Sequence, residues 1–305
     1  MTTTIALPQT NGLPEATTDL ARVKADLDEF GYGIAKGVLS PEETTRIRGI
    51  LTEELEKDAA AGLRKESYTD RDAKNQRLSI LVDRHRCFQD LVEHPVALEL
   101  AAHHLGPTYL GESYLLHAFT ANVTKPGSAA MGIHSDIDFT RPYLDLPCFA
   151  RFMWFVDDFD EEVGATRVVP RSHLFGRGPT KDGSVAYESV PALGPAGSLM
   201  VFDGRLYHGT GANTSADRER AGLIAGYVQP WMRPMSFFPM ILDPAVMAEA
   251  SERVRTLCGY GTVHMGLDQP WKTAREDVAA LAIGTTRTIA DMRAEVRPGS
   301  STPTS

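Results

Sequence analysis

A chain of 305 residues that is 42% hydrophobic and 23% charged can bury a large core without disulfides or a structural metal. Its net charge of −9, with no run of Lys or Arg, argues against nucleic acid as a partner, because phosphate binding needs clustered positive charge. There is no run of about 18 apolar residues and no basic patch ahead of an apolar N-terminal segment, so neither a membrane span nor a secretory signal peptide is expected.

Residues 1–15, rich in Thr, Pro, Gly and Asn, read as a disordered tail. Leu20, Val23, Leu27 and Phe30 then recur at helical spacing, Gly31 ends that helix, and 32–38 reads as a strand. Ser40-Pro41-Glu42-Glu43 is a helix start: Ser40 can cap, Pro41 suits the first turn, and Glu43 completes a capping box. Ile47, Ile50, Leu51 and Leu55 give that helix one apolar stripe. Residues 63–80 are polar and mixed and read as a loop. Residues 84–105 read as helix with a break at Pro95. The pair His103-His104 near its end reads as a solvated helix end, since adjacent helical positions do not share a face.

From about residue 108 the pattern changes to short apolar runs divided by Gly and Pro. They are 114–116, 119–123, 149–156, 166–169, 199–202 and 223–228, and their spacing suggests a sandwich or barrel. Helical spacing returns from Pro244 with Val246, Ala250, Val254 and Leu257, and the last residues, 296–305, read as a second disordered tail. No internal repeat is visible. The expected organisation is one domain over 16–295, mostly β with helical cladding (α+β). It comprises a helical N-terminal region (16–107), a β core (108–232) and a C-terminal helical segment (244–295). Three sparse cysteines, Cys87, Cys148 and Cys258, fit small buried residues in a reducing, cytoplasmic setting better than a disulfide framework.

The chemistry centres on Ile133-His134-Ser135-Asp136-Ile137. Read as a strand, this stretch points the His134 imidazole and the Asp136 carboxylate to one side. They make two legs of a facial metal site, and His208, just after the strand-like run 198–203, can supply the third. Two histidines and one carboxylate leave the opposite face of an octahedral ion open, as in non-haem Fe(II) oxygenases. A lone His-x-Asp is weak evidence, and a hydrogen-bonded core histidine is the plainer reading of His134 by itself. The surroundings of His208 sharpen the signal. Gly209-Thr210-Gly211-Ala212-Asn213-Thr214-Ser215 follows it, then Asp217-Arg218-Glu219-Arg220 and a new strand. An arginine on that strand could take a carboxylate through its planar fork.

Three stretches together resemble the phytanoyl-CoA dioxygenase family of Fe(II)- and 2-oxoglutarate-dependent oxygenases. They are Pro126-Gly127 with His134-Ser135-Asp136; Asp157-Asp158 with the segment Gly164-Ala165-Thr166-Arg167-Val168-Val169-Pro170-Arg171-Ser172-His173; and His208 to Ser215 with Arg220. The resemblance implies a double-stranded β-helix (jelly-roll, cupin-like) core. It implies Fe(II) held by His134, Asp136 and His208, with 2-oxoglutarate and O2 as cosubstrates. Arg220 matches the arginine that pairs with the distal carboxylate of 2-oxoglutarate, and Thr210 a hydroxyl that helps to hold it. Arg220 lies one residue further from the distal histidine than is usual in the family, which leaves Arg218 as a second candidate. Met153, beside Trp154, stands where many members carry a tryptophan near the cosubstrate. His173 is expected to shape the fold rather than bind metal.

The implied reaction is oxidative decarboxylation of 2-oxoglutarate to succinate and CO2, coupled to hydrogen abstraction from an unactivated carbon. Hydroxylation is the default; the carboxylate Asp136 disfavours halogenation, while desaturation, cyclisation and endoperoxide formation stay open. The expected partner is a small molecule, as in secondary-metabolite tailoring, and nothing in the charge pattern suggests a CoA surface. The chain is expected to act as a monomer or homodimer. Candidate substrate contacts are Asp138, Phe139, Arg141 and Tyr143 after the His-x-Asp, with Tyr187, Trp231, Phe237, Phe238 and the strand residue His117. These aromatics fit packing beneath the C-terminal helices equally well. Two rival readings are a cupin-type metal oxygenase that does not use 2-oxoglutarate and a binding protein that has kept the barrel.

Overall fold

The computed structural model describes residues 3–5, 12–63, 73–106, 114–138, 143–182, 184–260, 263–264 and 287–288. Most of the two expected tails, and most of 261–295, lie outside these residues. A short strand, β1 (Thr3–Ile5), precedes α1 (Leu20–Phe30). Asp19 caps α1 by accepting from the Ala21 and Arg22 N–H groups, and Gly31 closes it at φ 83°, a left-handed conformation that suits glycine. After β2 (Tyr32–Ala35) comes α2 (Pro41–Ala60), with the capping box between Ser40 and Glu43 formed in both directions.

Within the expected loop at 63–80, residues 64–72 lie outside the described residues, and β3 (Asn75–Ser79) corrects the reading of the remainder. Its polar residues carry no hydrophobic alternation, since Arg77 and Ser79 face a cavity rather than a packed core. The break at Pro95 divides α3 (Arg86–Val92) from α4 (Pro95–Leu105). His103 pairs with Asp28 near the surface, whereas His104 is buried against Asp203, so only the first is a solvated helix end.

The sheets hold β4 (Leu115–Thr124), β5 (Phe149–Phe155), β6 (Thr166–Val169), β7 (Val185–Tyr187), β8 (Val190–Pro191), β9 (Leu199–Asp203), β10 (Tyr207–Thr210) and β11 (Arg220–Val228). Six strands form an antiparallel sheet in the order β2-β9-β5-β11-β4-β3, and three form a smaller antiparallel sheet, β10-β6-β8. The chain is therefore mixed α and β, with antiparallel sheets.

The period-two alternation of β5 shows how the large sheet is sandwiched. Phe152 and Trp154 pack with Leu223, Ala225 and the helices in the main core. Met153 and Phe155 turn the other way, toward Val168 of the small sheet. Burying a side chain such as Phe152 stabilises the fold by roughly 1.5–3 kcal/mol. Two apolar runs expected near 114–123 are one continuous strand, β4, with a register shift opposite Gly226 and Tyr227. The shift leaves His117 as the extra residue, so that it and its neighbour Ala118 both line the cavity.

Short helices α5 (Phe238–Ile241), α6 (Pro244–Glu249) and α7 (Glu252–Leu257) follow. Val254 and Leu257 join the main core as their spacing suggests. All three cysteines are buried and unpaired. No helix among the described residues is long and apolar enough to cross a membrane.

Candidate metal centre

His134 and His208 come together through the backbone. Each donates its N–H to the other's carbonyl, at 2.9 and 2.8 Å, as an isolated antiparallel bridge between the His-x-Asp segment and β10. The segment is not the strand its pattern suggests. It makes this one bridge and then turns. The Asp136 N–H donates to Gly204 O at 2.9 Å, and the Ser135 hydroxyl donates to Asp138 Oδ1 at 2.7 Å. Bridge and turn together deliver His134 and Asp136 to one point, where His208 meets them. The potential ligand atoms of the three residues all lie within 4.8 Å of one another.

The second nitrogen of each imidazole fixes its orientation. His134 Nδ1 lies 3.1 Å from Gly132 O, and His208 Nδ1 lies 2.9 Å from Leu206 O. A carbonyl can only accept, so Nδ1 carries a proton on both rings, which leaves Nε2 as the nitrogen that can turn to a metal. Burial, followed by the neighbouring His134, pushes His208 down to about 4, so this ring is neutral near pH 7. Burial alone would raise the Asp136 carboxyl. The Arg151 guanidinium, with His208 and His134, instead holds it well below the usual carboxylate range. Neutral imidazoles with a free nitrogen and an ionised carboxylate are the forms a divalent cation needs.

The three residues open onto a cavity of about 1330 Å³. Its walls include Arg77, Thr120, Met153, Thr166, Thr210 and Ile224. Thr210 lines it, its hydroxyl accepting from Asn122 Nδ2 at 3.3 Å. Arg220 is fully buried and is not itself among the lining residues. It shares a face of β11 with Ile224, and Met153 Sδ and the Phe159 ring crowd Gly222 between them. Arg220 Nη2 donates to Gly164 O at 2.7 Å, and the guanidinium lies 4.5 Å from the Phe159 ring centre. Its Nε and Nη1 have no partner. Burial, and then Arg77, lowers its pKa to about 9. A buried cation with two vacant donors is the environment a carboxylate would complete. Arg218 instead pairs with Asp160 and Glu162 at the surface.

Among the candidate substrate contacts, His117, Asp138 and Tyr187 line the cavity. Phe139 and Arg141 lie outside the described residues. Tyr143 packs with Ile137 and Phe149, Phe238 is buried in the main core, and Trp231 and Phe237 are half exposed; none of the four lines the cavity. His173 is buried against Gly31, away from the metal group. Trp154 faces His94 on the helical side, leaving Met153 as the cavity residue of that pair.

Three cavity arginines, Arg77, Arg84 and Arg151, escape the sequence reading. Arg77 sits on the unrecognised strand β3, and no pattern marks it. Arg151 donates from Nε to Asp136 Oδ2 at 2.8 Å. Its signal was present: it is the single charge in the apolar run Phe149–Phe155.

Comparison with known proteins agrees with this geometry. The family model of phytanoyl-CoA dioxygenase (PhyH) matches residues 27–222. Dioxygenase af480 of Aspergillus fumigatus is 29% identical over 273 residues, covering 85% of each chain. Among solved structures, the epimerase SnoN in complex with Fe3+, alpha ketoglutarate and nogalamycin RO is similar with a TM-score of 0.52 and 21% identity, over 69% of this chain and 83% of that one. The alpha ketoglutarate dependent carbocyclase SnoK from nogalamycin biosynthesis gives 0.55 and 21%, over 72% and 87%. At that identity the two structures speak for the fold.

Proposed function

The chain belongs to the phytanoyl-CoA dioxygenase family, and on that premise we propose that it hydroxylates an unactivated carbon of a small molecule in a secondary-metabolite tailoring step. It is a non-haem iron, 2-oxoglutarate-dependent dioxygenase. Its two antiparallel sheets are read as the jelly-roll of that family, built within one domain over 16–295. The observation that carries the proposal is the His134, Asp136 and His208 group, with both Nδ1 atoms committed to carbonyls.

With iron and 2-oxoglutarate bound, O2 would be the oxidant: one of its oxygen atoms would pass to succinate as 2-oxoglutarate loses CO2, and the other would enter the substrate's C–H bond. The protein's side chains divide the remaining work. His134, Asp136 and His208 would hold the iron. Arg220 and Thr210 take the distal carboxylate of 2-oxoglutarate, which satisfies the two vacant guanidinium donors. The buried, apolar surroundings strengthen that ion pair. Reaching Arg220 requires the Met153 thioether, a flexible side chain, to swing off Gly222. The remaining walls, including His117, Ile224 and Tyr187, surround the substrate and exclude water.

The test is a screen of natural-product and amino-acid pools with the Fe(II)-loaded enzyme, reading succinate release and product mass. Gain of one oxygen supports hydroxylation; loss of two hydrogens points to desaturation or ring closure. Substrate conversion that does not consume 2-oxoglutarate would instead favour a cupin-type oxygenase.

A further inference from the structure

Arg151 is costly where it stands. It is the lone charge of an apolar strand, and its side chain is 13% exposed. Its guanidinium carbon lies 4.8 Å from the centre of the Phe149 ring. Gly226 opposite leaves space for both side chains: a Cβ there would lie 2.6 Å from Phe149 Cε2 and 3.4 Å from Arg151 Nη1. A cation beside a divalent metal repels it, so the simplest electrostatic design of the site would omit this residue. It is nevertheless fixed, with Nε–H on Oδ2 of a proposed metal ligand.

We propose that Arg151 is a positioning residue that keeps Asp136 a one-oxygen ligand of the iron. This rests on the iron and 2-oxoglutarate reading above. An octahedral ion has six positions. The two histidines and one carboxylate oxygen take three, the chelating cosubstrate takes two, and dioxygen needs the last. A carboxylate that turned to bind through both oxygens would occupy a fourth protein position. Cosubstrate or dioxygen would then lose its place. Oδ2 also lies 3.8 Å from His208 Nε2, so it is the oxygen that faces the ligand nitrogens; the charge-assisted bond from Arg151 Nε takes one of its lone pairs and fixes the carboxylate plane against that rotation. The planar guanidinium, braced on Phe149, suits this task better than a mobile ammonium.

The experiment uses the full chain loaded with Fe(II) under anaerobic conditions, with 2-oxoglutarate as the probe. It follows the visible charge-transfer band of the chelate, the Kd for 2-oxoglutarate and the Kd for Fe(II). Arg151→Met is expected to lose most of the band and to weaken 2-oxoglutarate at least about tenfold, in the range typical of groups that orient metal ligands. Fe(II) affinity should hold or tighten, because a repelling charge is gone. Arg151→Lys, which keeps a donor, should recover part of the band. An unchanged band and unchanged 2-oxoglutarate affinity in Arg151→Met would overturn the inference. A loss of Fe(II) affinity in Arg151→Met that Lys restores without restoring the band would also do so, reducing Arg151 to a counter-charge. If the Met variant fails to fold, Arg151→Gln decides on the same readings. A wild-type protein that binds Fe(II) but gives no chelate band would instead sink the cosubstrate reading, and the inference with it.

Discussion

Gly209 runs so close to Met131 that a Cβ at position 209 would lie 2.7 Å from the Met131 carbonyl oxygen. That approach lets the segment before His134 lie against β10. Gly209→Ala is therefore expected to push 131–134 outward and part the His134–His208 bridge. The variant should lose roughly 1–3 kcal/mol of stability, the range of an overpacking strain, and at least about tenfold in metal affinity. Urea unfolding and calorimetric titration with Co(II) would check both.

His134→Ala and Asp136→Ala each remove one of three ligands. Both variants should bind Fe(II) too weakly for stoichiometric loading; His134→Ala should melt close to the metal-free wild type, whereas Asp136→Ala, which leaves the Arg151 guanidinium without its carboxylate, should melt lower. Metal analysis after anaerobic loading and desalting reads the result. Retention of one equivalent of iron by either variant would move the centre elsewhere.

Arg220→Met should leave iron binding intact while raising the 2-oxoglutarate requirement by about a hundredfold or more, the loss expected for a charge-assisted pair in a buried site. The substitution also removes a buried cation with two unpartnered donors, so the ligand-free protein should be as stable as the wild type or more stable. The wild type should gain melting temperature with 2-oxoglutarate and the variant should not.

His117 and His208 are both pushed down to about 4, in each case by burial first. Their unfolded forms titrate near 6.5, so between pH 6.5 and 4 the unfolded chain binds more protons than the folded one. Stability of the metal-free protein should therefore fall as pH is lowered through that window, by on the order of 1–3 kcal/mol for each ring. Asp136 is ionised in both states across most of this range and contributes little there. His117→Phe should flatten the decline in urea midpoint measured from pH 7 to 4.5; an unchanged slope would show that His117 takes up its proton without cost in the fold.

Much of this was legible in the amino-acid order because the signals were local. Asp19, Gly31, Ser40 and Glu43 act within a turn of where they stand, and the helices they bound were readable. The ligands were readable for a related reason: residue type and spacing narrow what His134, Asp136 and His208 can do. Geometry was less accessible. The His-x-Asp stretch looked like a strand because two-residue spacing puts side chains on one face, whereas a single bridge followed by a turn gives the same convergence. β3 was missed since a strand whose inner face meets a cavity has no reason to alternate. Arg151 was passed over because a charge in an apolar run reads as noise until its partner Asp136, 15 residues earlier, is known.

The backbone bridge between His134 and His208 joins positions about 70 residues apart, and closing a loop of that length has an entropic cost that no local contact offsets. The nascent polypeptide therefore cannot recruit an ion early. The complete ligand set is expected only once β10 and the segment beside it have paired, so that metal would load onto an assembled fold.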